Sequence, residues 1–168
     1  LGRLPELTGV MKGEGEKTFA KLCEVYGKRS EALEQSLEQI DGITFRCPDG
    51  TICERPWRVP MDLSEVPFVY HDMKKFENKI IYYETSRGCP FSCSYCLSSI
   101  DKRLRFRSLD LVFGELQFFL DHKVPQVKFV DRTFNCKHDH AMAIWKYIQD
   151  HDNGITNFHF EVAADLLN

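Results

Sequence analysis

The chain has 168 residues, of which 43% are hydrophobic and 28% are charged, and its formal net charge is -3. These proportions are typical of a globular protein with a packed core and exclude wholesale disorder, while the charge balance gives no electrostatic footprint for nucleic acid. No run of eighteen apolar residues is present, so the sequence predicts no transmembrane helix. Seven cysteines without a recognisable export signal predict a cytoplasmic protein, because thiols stay reduced in that compartment.

The first forty residues predict a strand, a turn and two helices. Residues 8–12 are typical of the end of a strand, and residues 13–16, with the sequence Gly-Glu-Gly-Glu, predict a turn. A helix is predicted over residues 17–26, because apolar side chains recur there at helical spacing, at Phe19, Leu22, Cys23 and Tyr26. A second, more polar helix is predicted over residues 30–39. The carboxylates of Glu14 and Glu16 argue against a phosphate-binding turn.

A hairpin and a linker follow. Residues 42–54 predict a β-hairpin, because Pro48-Asp49-Gly50 separates two runs of alternating character. Cys47 and Cys53 flank the turn and are interpreted as small packing residues, since no further cysteine pair accompanies them. Residues 55–70 contain three prolines and little periodicity, which predicts an extended linker laid over the next domain.

From about residue 79 the sequence alternates between strands and helices. Strands are predicted over residues 80–84, 127–131 and 157–162, and the first of them is apolar enough to be buried. The helices between them are predicted to begin after Ser108, as an N-cap, and to span residues 138–151. Strands and helices in this order predict a parallel sheet with right-handed connections.

Three cysteines, Cys89, Cys93 and Cys96, lie within eight residues directly after the first of these strands, with the spacing C-x3-C-x2-C. Three thiolates on one short loop can converge on one small, soft metal centre. A 4Fe-4S cluster normally takes four thiolates, so three leave one iron without a protein ligand. This spacing therefore favours a cluster with one position open for chemistry.

Other interpretations of the motif stay open. A structural zinc site would recruit a second Cys or His pair, and Cys136, His138 and His140 lie about forty residues on without that spacing. His138 and His140 are expected to point to different sides of a helix start, and Cys136 is interpreted as a buried thiol. The alternatives are a non-catalytic binding module stabilised by zinc or iron-sulfur, and an electron-transfer cluster, which would need a fourth ligand.

The cysteine loop, with a strand before it and Tyr95 just before the third cysteine, resembles that of the radical S-adenosylmethionine superfamily. The resemblance implies that Cys89, Cys93 and Cys96 hold a 4Fe-4S cluster, whose fourth iron chelates the amino and carboxylate groups of S-adenosylmethionine. It implies that Tyr95 packs near the adenine. It further implies reductive cleavage to a 5'-deoxyadenosyl radical, or cobalamin-dependent methyl transfer, on an unknown substrate, with an electron donor such as a flavodoxin or ferredoxin.

The turn at residues 13–16, the hairpin and the Asp-Leu-x-x-x-Pro segment at residues 62–67 resemble the branch of that superfamily with a cobalamin-binding domain. This implies that residues 1–40 are the C-terminal part of a Rossmann-like cobalamin-binding domain and residues 41–78 a hairpin and linker. Residues 79–168 would form the first half of a partial (β/α)6 barrel. The cobalt-ligating histidine of that branch would precede Leu1, so the chain is expected to be part of a longer polypeptide, with cobalamin as an open further cofactor.

Parallel α/β folds place function at the carboxyl ends of their strands. Asp131 ends the second strand and Glu161 the third, and the resemblance implies that both border the S-adenosylmethionine pocket. Arg87 in the cysteine loop is either a clamp or a solvated charge. The basic run at residues 102–107 is interpreted as a segment folded against the barrel mouth rather than as a nucleic-acid site.

Overall fold

The computed structural model describes residues 1–28, 33–99 and 102–167. They divide into two compact units, Leu1–Pro60 and Met61–Asn168. Each unit has its own cluster of buried hydrophobic side chains. Among the helices that the structure describes, none has the length and apolarity needed to cross a membrane.

The first unit is a small antiparallel sheet with two helices. Its elements are β1 (Gly9–Met11), α1 (Glu16–Gly27), α2 (Leu33–Leu37), β2 (Ile43–Arg46) and β3 (Ile52–Glu54). The strand order is β1-β2-β3, with both pairs antiparallel. The predicted strand, first helix and hairpin are therefore present, and β1 pairs directly with the hairpin. The predicted start of α2, at residues 30–32, lies outside the described residues.

The hairpin turn shows why its residues fold there. Gly50 adopts a φ of +86° and its N–H donates to the carbonyl of Cys47 at 2.9 Å. The carboxylate of Asp49 accepts from the backbone N–H and the hydroxyl of Thr51, at 2.9 and 2.7 Å. On α1, the expected apolar face is incomplete, because Phe19 and Tyr26 are exposed while Thr18 is buried.

The second unit contains a parallel sheet. Its elements are β4 (Ile81–Tyr83), β5 (Ser86–Arg87), β6 (Arg105–Phe106), α3 (Leu109–Asp121), β7 (Gln126–Phe129), α4 (His138–Asp150) and β8 (Asn157–His159). The strands β4, β7 and β8 lie in that order and are parallel, as predicted. The strands β5 and β6 form a separate antiparallel ribbon, which was not predicted.

One face of the parallel sheet packs on the two helices. Val112, Leu116 and Phe119 of α3 and Ile144 of α4 are fully buried against Val127 and Phe129 of β7 in one core cluster. The prediction that β4 is a buried strand is right for two of its three side chains and wrong for the third. Ile81 and Tyr83 are buried, whereas Tyr82 on the other face is 56% exposed, because the helices cover only one face of the strand.

A buried ion pair fixes the segment that precedes β4. Arg107, which follows β6, donates from Nη1 to the carbonyls of Leu63 and Val66, at 2.5 and 2.9 Å. Its Nε and Nη2 both donate to the carboxylate of Glu115 on α3, the Nε bond at 2.9 Å. The hydroxyl of Tyr83 donates to the same carboxylate at 2.5 Å. Burial, together with Glu115, raises the pKa of Tyr83 above its usual range, so this hydroxyl stays protonated.

Only the end of the basic run, at residues 105–107, packs into the second unit, whereas Lys102 and Arg103 are exposed. The backbone N–H of Arg107 donates to the carbonyl of Thr85 at 2.8 Å, and Nη1 of Arg105 donates to the carbonyl of Met61 at 3.2 Å. Lys102 donates to the hydroxyl of Ser92, at 2.8 Å. Ser108 occupies the N-cap position of α3 without a capping side-chain bond, and its N–H donates instead to the hydroxyl of Ser64 at 3.0 Å.

Candidate functional site

The carboxyl ends of β4 and β7 are tied together by one buried carboxylate. Asp131, two residues after β7, is 1% exposed. Its oxygens accept from the N–H and hydroxyl of Thr85, at 3.1 and 2.8 Å, and from the hydroxyl of Ser86, at 2.5 Å. Burial raises the pKa of Asp131, while these hydrogen bonds act in the opposite direction. Asp131 therefore sets the position from which the cysteine loop departs.

The ribbon of β5 and β6 closes the base of the cysteine loop. Ser86 pairs with Phe106, and Arg87 pairs with Arg105, so the chain enters and leaves the loop through adjacent strands. Gly88 has a φ of +101°, and a Cβ atom there would lie 2.3 Å from the carbonyl oxygen of Arg103. Only glycine allows so close an approach, and a lone glycine before Cys89 was the only sequence signal for it.

This contact gives a prediction for Gly88→Ala. We expect the variant to lose about 1–3 kcal/mol of unfolding free energy, because the substitution combines an unfavourable φ with a backbone clash. Urea denaturation would measure the loss. Gly154→Ala is the matched control, since Gly154 also has a positive φ, +67°, but no atom within 4 Å of the added Cβ. Equal losses in the two variants would show that the approach to Arg103 is unimportant.

The three predicted ligands share this loop but are placed differently. Cys89 is buried, Cys96 is half-buried and Cys93 is exposed. The N–H of Cys96 donates to the carbonyl of Cys93 at 3.2 Å, which forms a turn between the second and third cysteines. Within the described residues, no three side chains of His, Cys, Asp or Glu are gathered closely enough to hold a metal ion. The donors still fit an iron-sulfur group chemically, because all three are thiols, outside any disulfide, on one short loop.

A cleft of about 440 Å³ lies beside the start of this loop. Its lining comes from the residues after β4, from the cysteine loop and from the residues after β7, namely Glu84, Ser86, Arg87, Gly88, Ser98, Val130 and Arg132. This volume lies within the range of small-molecule sites, and its position at the carboxyl ends of parallel strands is the usual one for ligands.

Arg87 is paired with Glu84 in the lining of this cleft and is not a solvated charge. Its Nε and Nη2 donate to the two carboxylate oxygens of Glu84 at 3.0 and 2.7 Å, and both side chains are about three-quarters buried. Such a two-point bond fixes the geometry of both groups. Glu84 was missed as a site residue, although its opposite charge three positions before Arg87 was a usable signal.

The three predicted cofactor contacts lie in different environments. Tyr95 is 91% exposed, and Asp131 is buried with its own partners. Glu161 is exposed, its carboxylate lies 3.5 Å from Nζ of Lys128, and its carbonyl accepts from the N–H of Phe134 at 2.9 Å. None of the three belongs to the lining of the cleft that the described residues form. Asp131 is nevertheless flanked in sequence by two lining residues, Val130 and Arg132.

The start of α4 contains a buried histidine that sequence reasoning did not select. His140 is 4% exposed and its ring centroid lies 4.9 Å from that of Phe106. His138, as expected, points elsewhere and is exposed. Cys136, expected to be buried, is half-buried, and its pKa is raised by burial and by its neighbours Asp131 and Cys89. No sequence signal distinguishes His140 from His138, since only packing decides which of them is enclosed.

Comparisons with known proteins were made for sequence and for structure. No protein-family model matches the chain. An uncharacterized methyltransferase of Pyrococcus horikoshii is 30% identical over 149 residues, which cover 83% of this chain and 31% of that protein. An anaerobic magnesium-protoporphyrin IX monomethyl ester cyclase of Synechocystis is 30% identical over 102 residues, covering 57% of this chain and 19% of that protein. The chain thus spans less than a third of the length of these relatives.

Two solved structures have similar folds. The cobalamin-dependent S-adenosylmethionine radical enzyme OxsB, with aqua-cobalamin and S-adenosylmethionine bound, matches with a TM-score of 0.70 at 24% identity, over 98% of this chain and 24% of OxsB. The radical S-adenosylmethionine methyltransferase TsrM of Kitasatospora setae, with cobalamin and a [4Fe-4S] cluster bound, matches with a TM-score of 0.60 at 18% identity. That match covers 89% of this chain and 31% of TsrM. At these identities the likeness is one of fold.

Proposed function

We propose that this chain, which resembles cobalamin-dependent radical S-adenosylmethionine enzymes in its motif and its fold, is part of such an enzyme. The resemblance predicted from the sequence is confirmed by the structural neighbours and the related sequences. One observation carries the proposal. The C-x3-C-x2-C loop leaves the carboxyl end of a parallel strand and opens beside a cleft of about 440 Å³.

Cys89, Cys93 and Cys96 are the proposed ligands of a 4Fe-4S cluster. Three thiolates leave one iron for another ligand, and S-adenosylmethionine is proposed to bind there. When bound, the cluster and S-adenosylmethionine supply the one-electron chemistry that yields a 5'-deoxyadenosyl radical, and the electron comes from a donor such as a flavodoxin or ferredoxin.

The protein's own residues hold and orient these groups. Asp131 is proposed to act as a positioning residue, because its carboxylate holds Thr85 and Ser86 and so aims the cysteine loop. The Arg87–Glu84 pair is proposed to form a rigid wall of the cleft. Tyr95 remains the proposed contact of the adenine, and Glu161 a proposed border of the pocket.

The reaction is proposed to be methyl transfer with cobalamin, or radical cyclisation. The methyltransferase relative covers 83% of the chain and the cyclase relative 57%, which favours methyl transfer. The proposed organisation is a cobalamin-domain tail at residues 1–40, a hairpin and linker at 41–78, and half of a (β/α)6 barrel at 79–168. A non-catalytic metal-stabilised module is not favoured, because the structural neighbours are enzymes.

The test is the response of the cluster to S-adenosylmethionine in the intact protein. After anaerobic reconstitution and reduction, we expect S-adenosylmethionine to change the electron paramagnetic resonance spectrum of the cluster. Slow formation of 5'-deoxyadenosine and methionine should follow even without the true substrate, because cleavage depends on the cofactors while the protein supplies orientation. A fully loaded, reduced cluster that ignores saturating S-adenosylmethionine and yields no 5'-deoxyadenosine would contradict the proposal and favour an electron-transfer cluster.

A further inference from the structure

His140 carries a buried nitrogen without a hydrogen-bond partner. Its Nε2 atom is shielded from solvent and bonds to none of the residues that the structure describes. His140 is 4% exposed and lies in the first turn of α4, a helix of 13 residues. A buried polar atom left unsatisfied costs about 1–3 kcal/mol. Such atoms are rare in folded proteins, and an acceptor such as a bound ion or cofactor is one explanation.

Two observations place the start of α4 near the cysteine loop. Its ring packs on Phe106 of β6, and Phe106 pairs with Ser86, three residues before Cys89. Cys136, in the turn that leads into α4, has Cys89 and Asp131 as electrostatic neighbours. The first turn of α4 therefore packs against the base of the loop that carries the three thiols.

The imidazole of His140 can donate a hydrogen bond from Nε2, which has no partner among the described residues. Burial, helped by the nearby ammonium of Lys137, lowers the pKa of His140 to about 4. An imidazole carries at least one N–H in either protonation state, so the ring can act as a donor. The ammonium of Lys137 itself lies over the ring of Phe106, 4.9 Å from its centroid.

We propose that His140 donates a hydrogen bond from Nε2 to a sulfur atom of the iron-sulfur cluster or of its thiolate ligands, and that this bond raises the reduction potential of the cluster. The inference rests on the proposed function, since it requires a cluster on the cysteine loop. Hydrogen bonds to cluster sulfurs are among the factors that set iron-sulfur potentials. The bond stabilises the reduced cluster more than the oxidised one, because reduction places additional negative charge on the sulfurs.

Two substitutions separate the hydrogen bond from the packing of the ring. His140→Phe keeps an aromatic ring against Phe106 but has no donor, whereas His140→Gln is smaller and retains an N–H group. His138→Phe is the matched control, because His138 lies on the same turn and is exposed. Each variant would be reconstituted anaerobically in the intact protein, its iron and sulfide counted, and its cluster titrated by electron paramagnetic resonance at controlled solution potentials.

We expect His140→Phe to retain the cluster and to lower the ratio of reduced to oxidised cluster roughly tenfold at a fixed solution potential. For a one-electron couple this corresponds to a potential lower by about 59 mV. His140→Gln should recover part of the ratio, and His138→Phe should match the wild type. A fully loaded His140→Phe variant with the wild-type potential would overturn the inference, as would equal shifts in the Phe and Gln variants.

A second measurement uses only the wild-type protein and so does not depend on whether a variant folds. In wild-type protein containing isotope-labelled histidine, pulsed electron paramagnetic resonance of the reduced cluster should detect a weak coupling to an imidazole nitrogen. If a loaded cluster shows no such coupling, only the role of His140 is contradicted and the proposed function still stands. A wild-type protein that binds no 4Fe-4S cluster contradicts the proposed function itself, so the two failures are distinguishable.

Discussion

Replacing any one of Cys89, Cys93 and Cys96 by Ala is expected to abolish 4Fe-4S cluster binding by the intact protein. Two thiolates cannot hold a cube that already has one iron without a protein ligand. The loss should be equal at the three positions, although Cys89 is buried and Cys93 is exposed, because ligation rather than burial decides it. Iron and sulfide per chain, counted after anaerobic reconstitution, would measure the loss.

The other four cysteines provide the controls. Cys23→Ala, Cys47→Ala, Cys53→Ala and Cys136→Ala should each retain the cluster. The Cys136 variant is the most stringent control, because Cys136 lies outside the loop but has Cys89 as an electrostatic neighbour. Cluster loss in the Cys136 variant, or uniform losses across both sets of cysteines, would mean that the three-cysteine assignment is wrong.

The regular elements were predictable because their signals are local. The spacing of apolar residues predicts α3 and α4, and the Pro-Asp-Gly turn predicts the hairpin. Each of these signals comes from residues that are close together in sequence. The parallel order of β4, β7 and β8 then follows from the lengths of the helical crossovers. The cysteine spacing is equally local, and so the sequence alone places the loop after β4.

The residues that depend on distant partners could not be predicted in the same way. Glu115 lies on the apolar face of α3 and is 7% exposed only because Arg107 and Tyr83 meet it there. Asp131 was expected to contact a cofactor. Its hydrogen bonds to Thr85 and Ser86 depend on the register between β4 and β7. His140 and His138 look alike in sequence, and tertiary packing alone encloses one of them.

The buried Arg107–Glu115 pair is expected to contribute strongly to the unfolding free energy of the second unit. We expect Arg107→Met to lower the unfolding free energy by about 3–5 kcal/mol, because it leaves the carboxylate of Glu115 buried without its cation. It also removes the donor that the carbonyls of Leu63 and Val66 share. Arg132→Met is the control, since Arg132 is exposed and its loss should cost less than about 0.5 kcal/mol.

Urea denaturation can report on this unit alone. The chain has two tryptophans, and Trp145 is the one in the second unit, so a Trp57→Phe background leaves only its fluorescence. The double variant Arg107→Met/Glu115→Met should be less destabilised than the sum of its two single variants, because removing both charges leaves no unpaired ion in the core. Some loss should persist, since the Tyr83 hydroxyl stays buried without its acceptor and the carbonyls of Leu63 and Val66 lose the Arg107 donor. Simple additivity of the single variants would show that the two side chains are not coupled. A loss below about 1 kcal/mol for Arg107→Met would show that apolar packing alone holds the segment before β4.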